Sequence, residues 1–132
     1  MQHHPLPAQN YGEMFLEGGN LMPESNDFLA NVLDLKSLIR YQKNSVVSKQ
    51  LLNKKAGTLT LFAFDKGEGL SEHTAPYDAS VLILDGTAGV KIGGKLHKLK
   101  KDEMIIMPAH VPHSLKAIQP FKMLLTMIRS AE

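Results

Sequence analysis

Short apolar segments separated by turn residues dominate the chain from about residue 36 onward. Each segment is short, rich in apolar and β-branched residues, and bounded by residues that favour turns. The segments are 46–52, 58–64, 80–84, 89–92, 96–99, 103–107, 114–118 and 121–128. Many short strands at regular spacing are typical of a sandwich or a barrel, so the pattern predicts an all-β domain.

Two places in this pattern predict more than a strand. Gly93 and Gly94 lie between segments 89–92 and 96–99, where two glycines favour a two-residue hairpin turn with positive φ at both positions. Segment 121–128 is largely apolar on both faces, so we expect it to be covered on both sides. One side would face the barrel interior. The other would face a second sheet or a partner subunit, and we favour the partner.

Residues 1–35 differ from the rest and are predicted to form an irregular N-terminal arm. Its first 26 residues are rich in Pro, Gly, Asn and Gln and show no sustained period of 2 or 3.6. Met14, Phe15 and Leu16 could form an edge strand or pack on a neighbouring subunit. Ser25, Asn26 and Asp27 are candidate N-caps for a short helix over 28–33, although a strand there is an alternative. Residues 36–132 would then form the barrel.

Composition narrows the classes of function. At 132 residues the chain has the length of one domain, and its formal net charge of +2 does not indicate a nucleic-acid partner. Five lysines alternate with apolar residues without interleaved aromatic rings, which is typical of a solvated sheet face rather than a nucleic-acid platform. They are Lys91, Lys95, Lys98, Lys100 and Lys101.

The compartment and membrane expectations rest on what the sequence lacks. It contains no Cys, which excludes a disulfide framework and fits a reducing compartment. The N-terminus does not have the pattern of a secretory signal, and no apolar run approaches the roughly 18 residues of a membrane span. We therefore expect a cytoplasmic protein with neither a membrane nor a nucleic-acid partner.

The candidate chemistry begins at His73. Gly67 lies six residues before this histidine and Gly86 follows thirteen residues after it. Two positions in the same segment, Ala75 and Ala79, carry alanine at two and six residues beyond the histidine.

A second segment has related spacing around His113. Pro108 lies five residues before this histidine, His110 lies three before it, and Ala117 lies four after it. Asp102 precedes the proline by six residues. Fifteen residues, 87–101, separate the two segments and carry the predicted Gly-Gly hairpin.

Together, in this order, the two segments resemble the two motifs of the cupin superfamily, and in particular small single-domain bacterial cupins of the conserved-barrel type. The resemblance covers residues 67–117 and extends over most of 36–128. It implies a single-domain, RmlC-like jelly-roll β-barrel. The chain departs from the family pattern where Asp102 and His110 replace glycines, Ala75 a histidine, Ala79 a glutamate and Ala117 an asparagine.

The resemblance also implies a site inside the barrel. The family's ligand set of three imidazoles and a carboxylate suits a transition metal, and here it leaves His73 and His113 as metal ligands, with His110 as a candidate third. The cofactor is then one divalent transition metal (Zn, Fe, Mn or Ni), or none. Small side chains at the other ligand positions would enlarge the cavity for an apolar or aromatic small molecule. The expected pocket residues are Ala75, Tyr77, Ala79, Val81, Ile83, Leu115 and Ala117.

Two functions stay open on this basis. The one we favour is a small-molecule-binding protein of unassigned pathway, whose pocket surrounds His73 and His113 and whose metal centre is reduced or lost. The alternative is a metal-dependent enzyme of the dioxygenase, isomerase or lyase type, in which water or substrate completes the coordination. In either case the expected partners are a small-molecule ligand and a second copy of the chain in a homodimer.

Overall fold

The structure, a computed structural model, describes residues 28–129 of the chain. Strands make up most of this region, and the fold is all-β as predicted. The strands are β1 (Val46–Lys54), β2 (Gly57–Phe64), β3 (Gly69–His73), β4 (Tyr77–Asp85), β5 (Thr87–Ile92), β6 (Lys95–Lys100), β7 (Met104–Met107), β8 (His113–Ala117) and β9 (Phe121–Arg129).

The strands form two antiparallel sheets with crossed connections. One sheet has the order β1-β2-β9-β4-β7 and the other the order β3-β8-β5-β6. Every strand predicted from the apolar pattern is present. The pattern missed β3, because Ser71 and Glu72 interrupt it and the pairing with β8 shifts between Leu70 and His73. Such an irregularity breaks the alternation by which a strand is recognised.

The main core lies between the sheets and unites residues from both. Phe62, Val81 and Leu125 come from the five-stranded sheet, whereas Leu115 and Val90 come from the four-stranded sheet. Phe64 and Phe121 stack with ring centroids 4.4 Å apart and rings nearly parallel. This aromatic pair fills the end of the barrel at which β2 finishes and β9 begins.

A second apolar cluster covers part of the outer face of the five-stranded sheet. Ile39 is fully buried there with Leu61 and Ala63 of β2. The chain preceding β1 supplies most of the cover, through Phe28, Leu33, Leu35, Leu38 and Tyr41. Leu124 of β9 packs against the same cluster, so the chain itself covers part of the face for which a partner subunit was predicted.

The helix predicted over 28–33 is absent from the structure. Residues 28–30 form a helical turn with Ala30 at a φ of 61°, residues 31–34 are irregular, and a three-residue 3-10 helix occupies Leu35–Ser37. Six residues are too few for a helix to be stable by itself, and Phe28 and Leu33 instead pack on the sheet. The alternative strand is also absent. Met14–Leu16, the candidate caps and the rest of 1–27 lie outside the described residues, so the arm boundary at residue 35 stays a prediction.

The glycine turn between β5 and β6 is confirmed. Gly93 and Gly94 have φ of 56° and 85°, and Ile92 pairs with Lys95 across them. Gly86 has a different constraint, because its φ is 79° and a Cβ atom there would overlap the carbonyl oxygen of Pro120. Within residues 28–129 no helix is long and apolar enough to cross a membrane.

Candidate ligand site at the histidine end of the barrel

His73 and His113 are brought together by strand pairing. They are register partners at the ends of β3 and β8, and their ring centroids lie 4.3 Å apart with a 72° angle between the planes. The two sequence segments therefore meet at one point, as the resemblance implied.

Backbone carbonyls fix the orientation of both rings. His73 Nδ1 lies 2.7 Å from the carbonyl oxygen of Ser71, and His113 Nδ1 lies 3.1 Å from that of Val111. Because a carbonyl oxygen only accepts, each Nδ1 carries the proton in these contacts. In the neutral ring the lone pair is then on Nε2, the atom that accepts a hydrogen bond or ligates a metal.

His113 is the more deeply placed of the pair, with 2% of its surface exposed. Burial lowers the pKa of His113 most, the positive charge of a protonated His73 lowers it further, and the Val111 carbonyl opposes both effects. The ring is therefore held in its neutral form, in which Nε2 accepts rather than donates.

Two hydrogen bonds from backbone amides hold the β7–β8 turn against the residues around the start of β4. The amide of His110 donates to the carbonyl of Ala75 at 2.8 Å, and the amide of Ala109 donates to Asp78 Oδ1 at 2.9 Å. His110 is exposed and has a φ of 66°. The backbone of His110, rather than its ring, is thus what the structure attaches to the site.

The predicted pocket residues divide into two groups. Ala75 and Tyr77 are partly exposed at the rim, where the hydroxyl of Tyr77 accepts from Arg129 Nη2 at 2.9 Å. The other residues are buried in the main core, packed among aromatic and aliphatic side chains. They are Ala79, Val81, Ile83, Leu115 and Ala117. Ile83 lies in the row next to the aromatic pair, whereas Ala79 lies towards the histidines.

Two inward-facing residues were missed by the sequence argument. Thr58 and Thr60 alternate with outward residues on β2 and share a face with Phe62 and Phe64. The Oγ1 atoms of both threonines are buried without a hydrogen-bond partner. In the sequence, these two residues are recognisable as polar residues at alternate positions of an otherwise apolar strand. They passed unnoticed because threonine is itself common in strands.

The described donors do not fit the family's complete metal centre. Two imidazole rings lie in contact, but residues 28–129 contain no group of three or more His, Cys, Asp or Glu side chains arranged to hold a metal. Catalytic zinc normally keeps three protein ligands. The pair suits a weak, incomplete site or a polar contact to an organic ligand.

Comparison with known proteins agrees with this architecture. Residues 60–128 match the family model of the cupin domain, whereas no curated protein matches the chain. Among solved structures, a conserved protein of unknown function from Streptococcus pyogenes is 33% identical with a TM-score of 0.74, covering 78% of this chain and 90% of that one.

Two further structures widen the comparison. A cupin 2 conserved barrel domain protein from Leptotrichia buccalis is 38% identical with a TM-score of 0.72 over 74% of this chain, which spans 47% of that protein. An RmlC-like cupin from Shewanella frigidimarina is 18% identical with a TM-score of 0.61, covering 66% of this chain and 78% of that one, and it supports the fold alone. With a matching family model over more than half of its length, this chain belongs to the cupin family.

Proposed function

We propose that this cupin binds an apolar small molecule through a pocket whose polar end is the pair His73 and His113. The observation that supports this proposal is that both Nδ1 atoms form hydrogen bonds with backbone carbonyls. In its neutral form His113 then has Nε2 as an acceptor, and the same holds for His73 when its ring is neutral. A ligand with a hydroxyl or similar donor on an apolar body satisfies this arrangement.

The residues around the pair support the same choice. Ala75 and Ala79 occupy the places where the family supplies a histidine and a glutamate, and neither methyl group can ligate a metal. Ala79 and Met107 pair across β4 and β7 at the histidine end, and both face inward with less than 5% of their surface exposed. These side chains offer dispersion contacts to an apolar ligand.

A matched pair of probes tests the proposal. 4-Methylphenol carries the donor that toluene lacks, so wild-type protein should bind it more tightly in an NMR titration. Replacing His113 by Leu should remove about 1 kcal/mol from that preference, roughly fivefold in Kd. If neither probe binds, or if the preference survives in both His73→Leu and His113→Leu, the proposal is wrong.

The metal-dependent enzyme is the second candidate, favoured by the same two Nδ1 contacts, because they leave Nε2 as the metal-ligating atom of a neutral ring. Metal analysis of untagged protein separates the two candidates, after growth with Fe, Mn, Zn or Ni. Stoichiometric metal that is lost in both His73→Ala and His113→Ala would favour the enzyme. Metal well below one equivalent in wild-type protein would favour the binding protein. His110→Ala tests the third ligand, and we expect its metal content to equal that of the wild type.

We further propose a cytoplasmic homodimer. Support for the dimer comes from the part of the outer sheet face that residues 28–41 leave uncovered, where Met104, Ile106 and Ile128 are each more than half exposed. Three large apolar side chains exposed on one sheet face are compatible with an association site. The lack of Cys in the sequence is compatible with a reducing compartment, which cell fractionation would test.

A further inference from the structure

The two buried threonine hydroxyls on β2 are the feature that the proposed pocket leaves unexplained. Thr60 is 1% exposed, and its Oγ1 has no hydrogen-bond partner within the described part of the chain. Its neighbour on β1, Gln50, faces the same way but makes no bond to it. The Oγ1 of Thr58, which lies at the preceding inward position of β2, is also buried without a hydrogen-bond partner.

A buried hydroxyl that forms no hydrogen bond destabilises the folded protein. Burying a hydroxyl without a hydrogen bond is unfavourable, and valine has almost the same shape without that penalty. Unsatisfied buried polar groups are rare enough in native proteins that each needs a cause, and a ligand that binds there is one.

Connectivity places the threonines at the histidine end of the barrel. Thr58 pairs with Met127, which pairs with Ala79, which pairs with Met107, so the four residues form one inward row across β2, β9, β4 and β7. The chain leads from His73 to Ala79 in six residues and from Met107 to His113 in six residues. The row therefore lies at the histidine end of the barrel, and Thr60 lies one inward position deeper.

The threonines and the histidines occupy different sides of this end. Two strand spacings of about 4.8 Å each separate β2 from β4, the strand that follows His73. A single group on a ligand therefore does not reach both sets. A ligand needs polar groups on opposite sides of its body to contact both, and a six-membered ring with substituents on opposite carbons has this arrangement.

We propose that Thr58 and Thr60 form a second polar subsite, so that the ligand is an apolar small molecule with hydrogen-bonding groups on two opposite sides. The inference rests on the proposed function, because it assigns the side of the same pocket that lies opposite the histidines. A threonine hydroxyl both donates and accepts, so the second group on the ligand can be a hydroxyl, an amide or a carbonyl.

The test extends the probe series by one group. 4-Hydroxybenzyl alcohol adds a hydroxyl to the methyl group of 4-methylphenol, and wild-type protein should bind it about fivefold more tightly. Thr60→Val and Thr58→Val should lose that gain while keeping the affinity for 4-methylphenol. Thr126→Val is the matched control, because Thr126 lies on the outer face of the same sheet, and it should keep the gain.

The stability of the free protein gives an independent readout. Because the hydroxyl is unpartnered, Thr60→Val should melt about 2–5 °C higher than the wild type without ligand. A lower melting temperature would reveal an internal or water-mediated bond and would overturn the subsite. Equal loss for both probes, or an unchanged gain, would also overturn it and leave the histidine pocket intact. Failure of every probe, including toluene, would instead reject the pocket as a whole.

Discussion

Two residues of the second motif, Asp102 and His110, have backbone conformations that side chains usually avoid. Their φ values are 72° and 66°, and the family has glycine at both positions. Because residues with side chains replace glycine at these two positions, the departure from the family pattern introduces backbone strain. A left-handed conformation costs a non-glycine residue about 1–2 kcal/mol, and less for Asp.

The first prediction concerns that strain at His110. His110→Gly should raise the free energy of unfolding by about 0.5–1 kcal/mol, because glycine adopts a positive φ without strain. The hydrogen bond from the backbone N–H of residue 110 to the carbonyl of Ala75 is kept. Urea unfolding measures the change. Ala109→Gly is the control and should lower stability instead, since Ala109 is not among the residues with positive φ. A loss of stability in His110→Gly would mean that the imidazole itself holds the turn.

The second prediction at this scale concerns pH. The lowered pKa of His113 means that the unfolded chain takes up a proton at a higher pH than the folded chain does. The contribution of His113 to the free energy of unfolding is therefore fully present above about pH 6.5. It falls as the pH drops below that value, by at most about 1.4 kcal/mol per pH unit. Once the pH is below the folded pKa, the loss stops growing.

Urea titrations between pH 7.5 and 5.5 measure this dependence. His113→Leu should show a shallower fall than the wild type over this interval, because leucine takes up no proton. Parallel curves for the two proteins would contradict the assignment of the pH dependence to His113.

At the level of elements, the strands were predictable and the segment before them was not. Alternation and glycine turns identify most of the strands from local sequence alone, but β3 depends on pairing with β8, which lies 40 residues away. Residues 28–41 likewise owe their path to contacts with the outer sheet face. In the candidate site, motif spacing predicted the histidine pair, whereas Thr58 and Thr60 became visible only through their missing partners.

The third prediction concerns the attachment of residues 28–41. Tyr41 donates to Asp85 Oδ2 at 2.6 Å, and Lys122 Nζ lies 5.1 Å from the centre of its ring. Burial, followed by the hydrogen bond and charge of Asp85, raises the pKa of Tyr41, so the hydroxyl stays a donor throughout the working pH range. Tyr41→Phe should cost about 1–2 kcal/mol and should speed amide exchange in the segment that precedes β1.

A matched tyrosine provides the control for that experiment. The hydroxyl of Tyr77 bonds to exposed Arg129, so Tyr77→Phe should change the unfolding free energy by less than about 0.5 kcal/mol. Equal effects of the two substitutions would show that the Tyr41–Asp85 bond does not secure the segment.

For the whole molecule, the fourth prediction concerns assembly. Ile106 lies on the uncovered outer face of the five-stranded sheet and is 58% exposed, whereas Leu96, on the other sheet, is 63% exposed. Light scattering should find a dimer for the wild type and for Leu96→Glu, but a monomer for Ile106→Glu, because a buried unpaired carboxylate opposes association. A monomeric wild type, or an Ile106→Glu dimer, would reject this interface.

The two ends of the barrel differ in how freely they can be redesigned. The end with the stacked Phe64 and Phe121 is filled by core side chains, so substitutions there disturb packing. At the histidine end, Ala75 lies in the short connection between β3 and β4, and Ala79 follows within β4. Placing histidine at Ala75 and glutamate at Ala79 would restore the family's ligand types next to two imidazoles that are already oriented. The protein is therefore a starting scaffold in which metal affinity can be engineered at the histidine end, away from the stacked rings of Phe64 and Phe121.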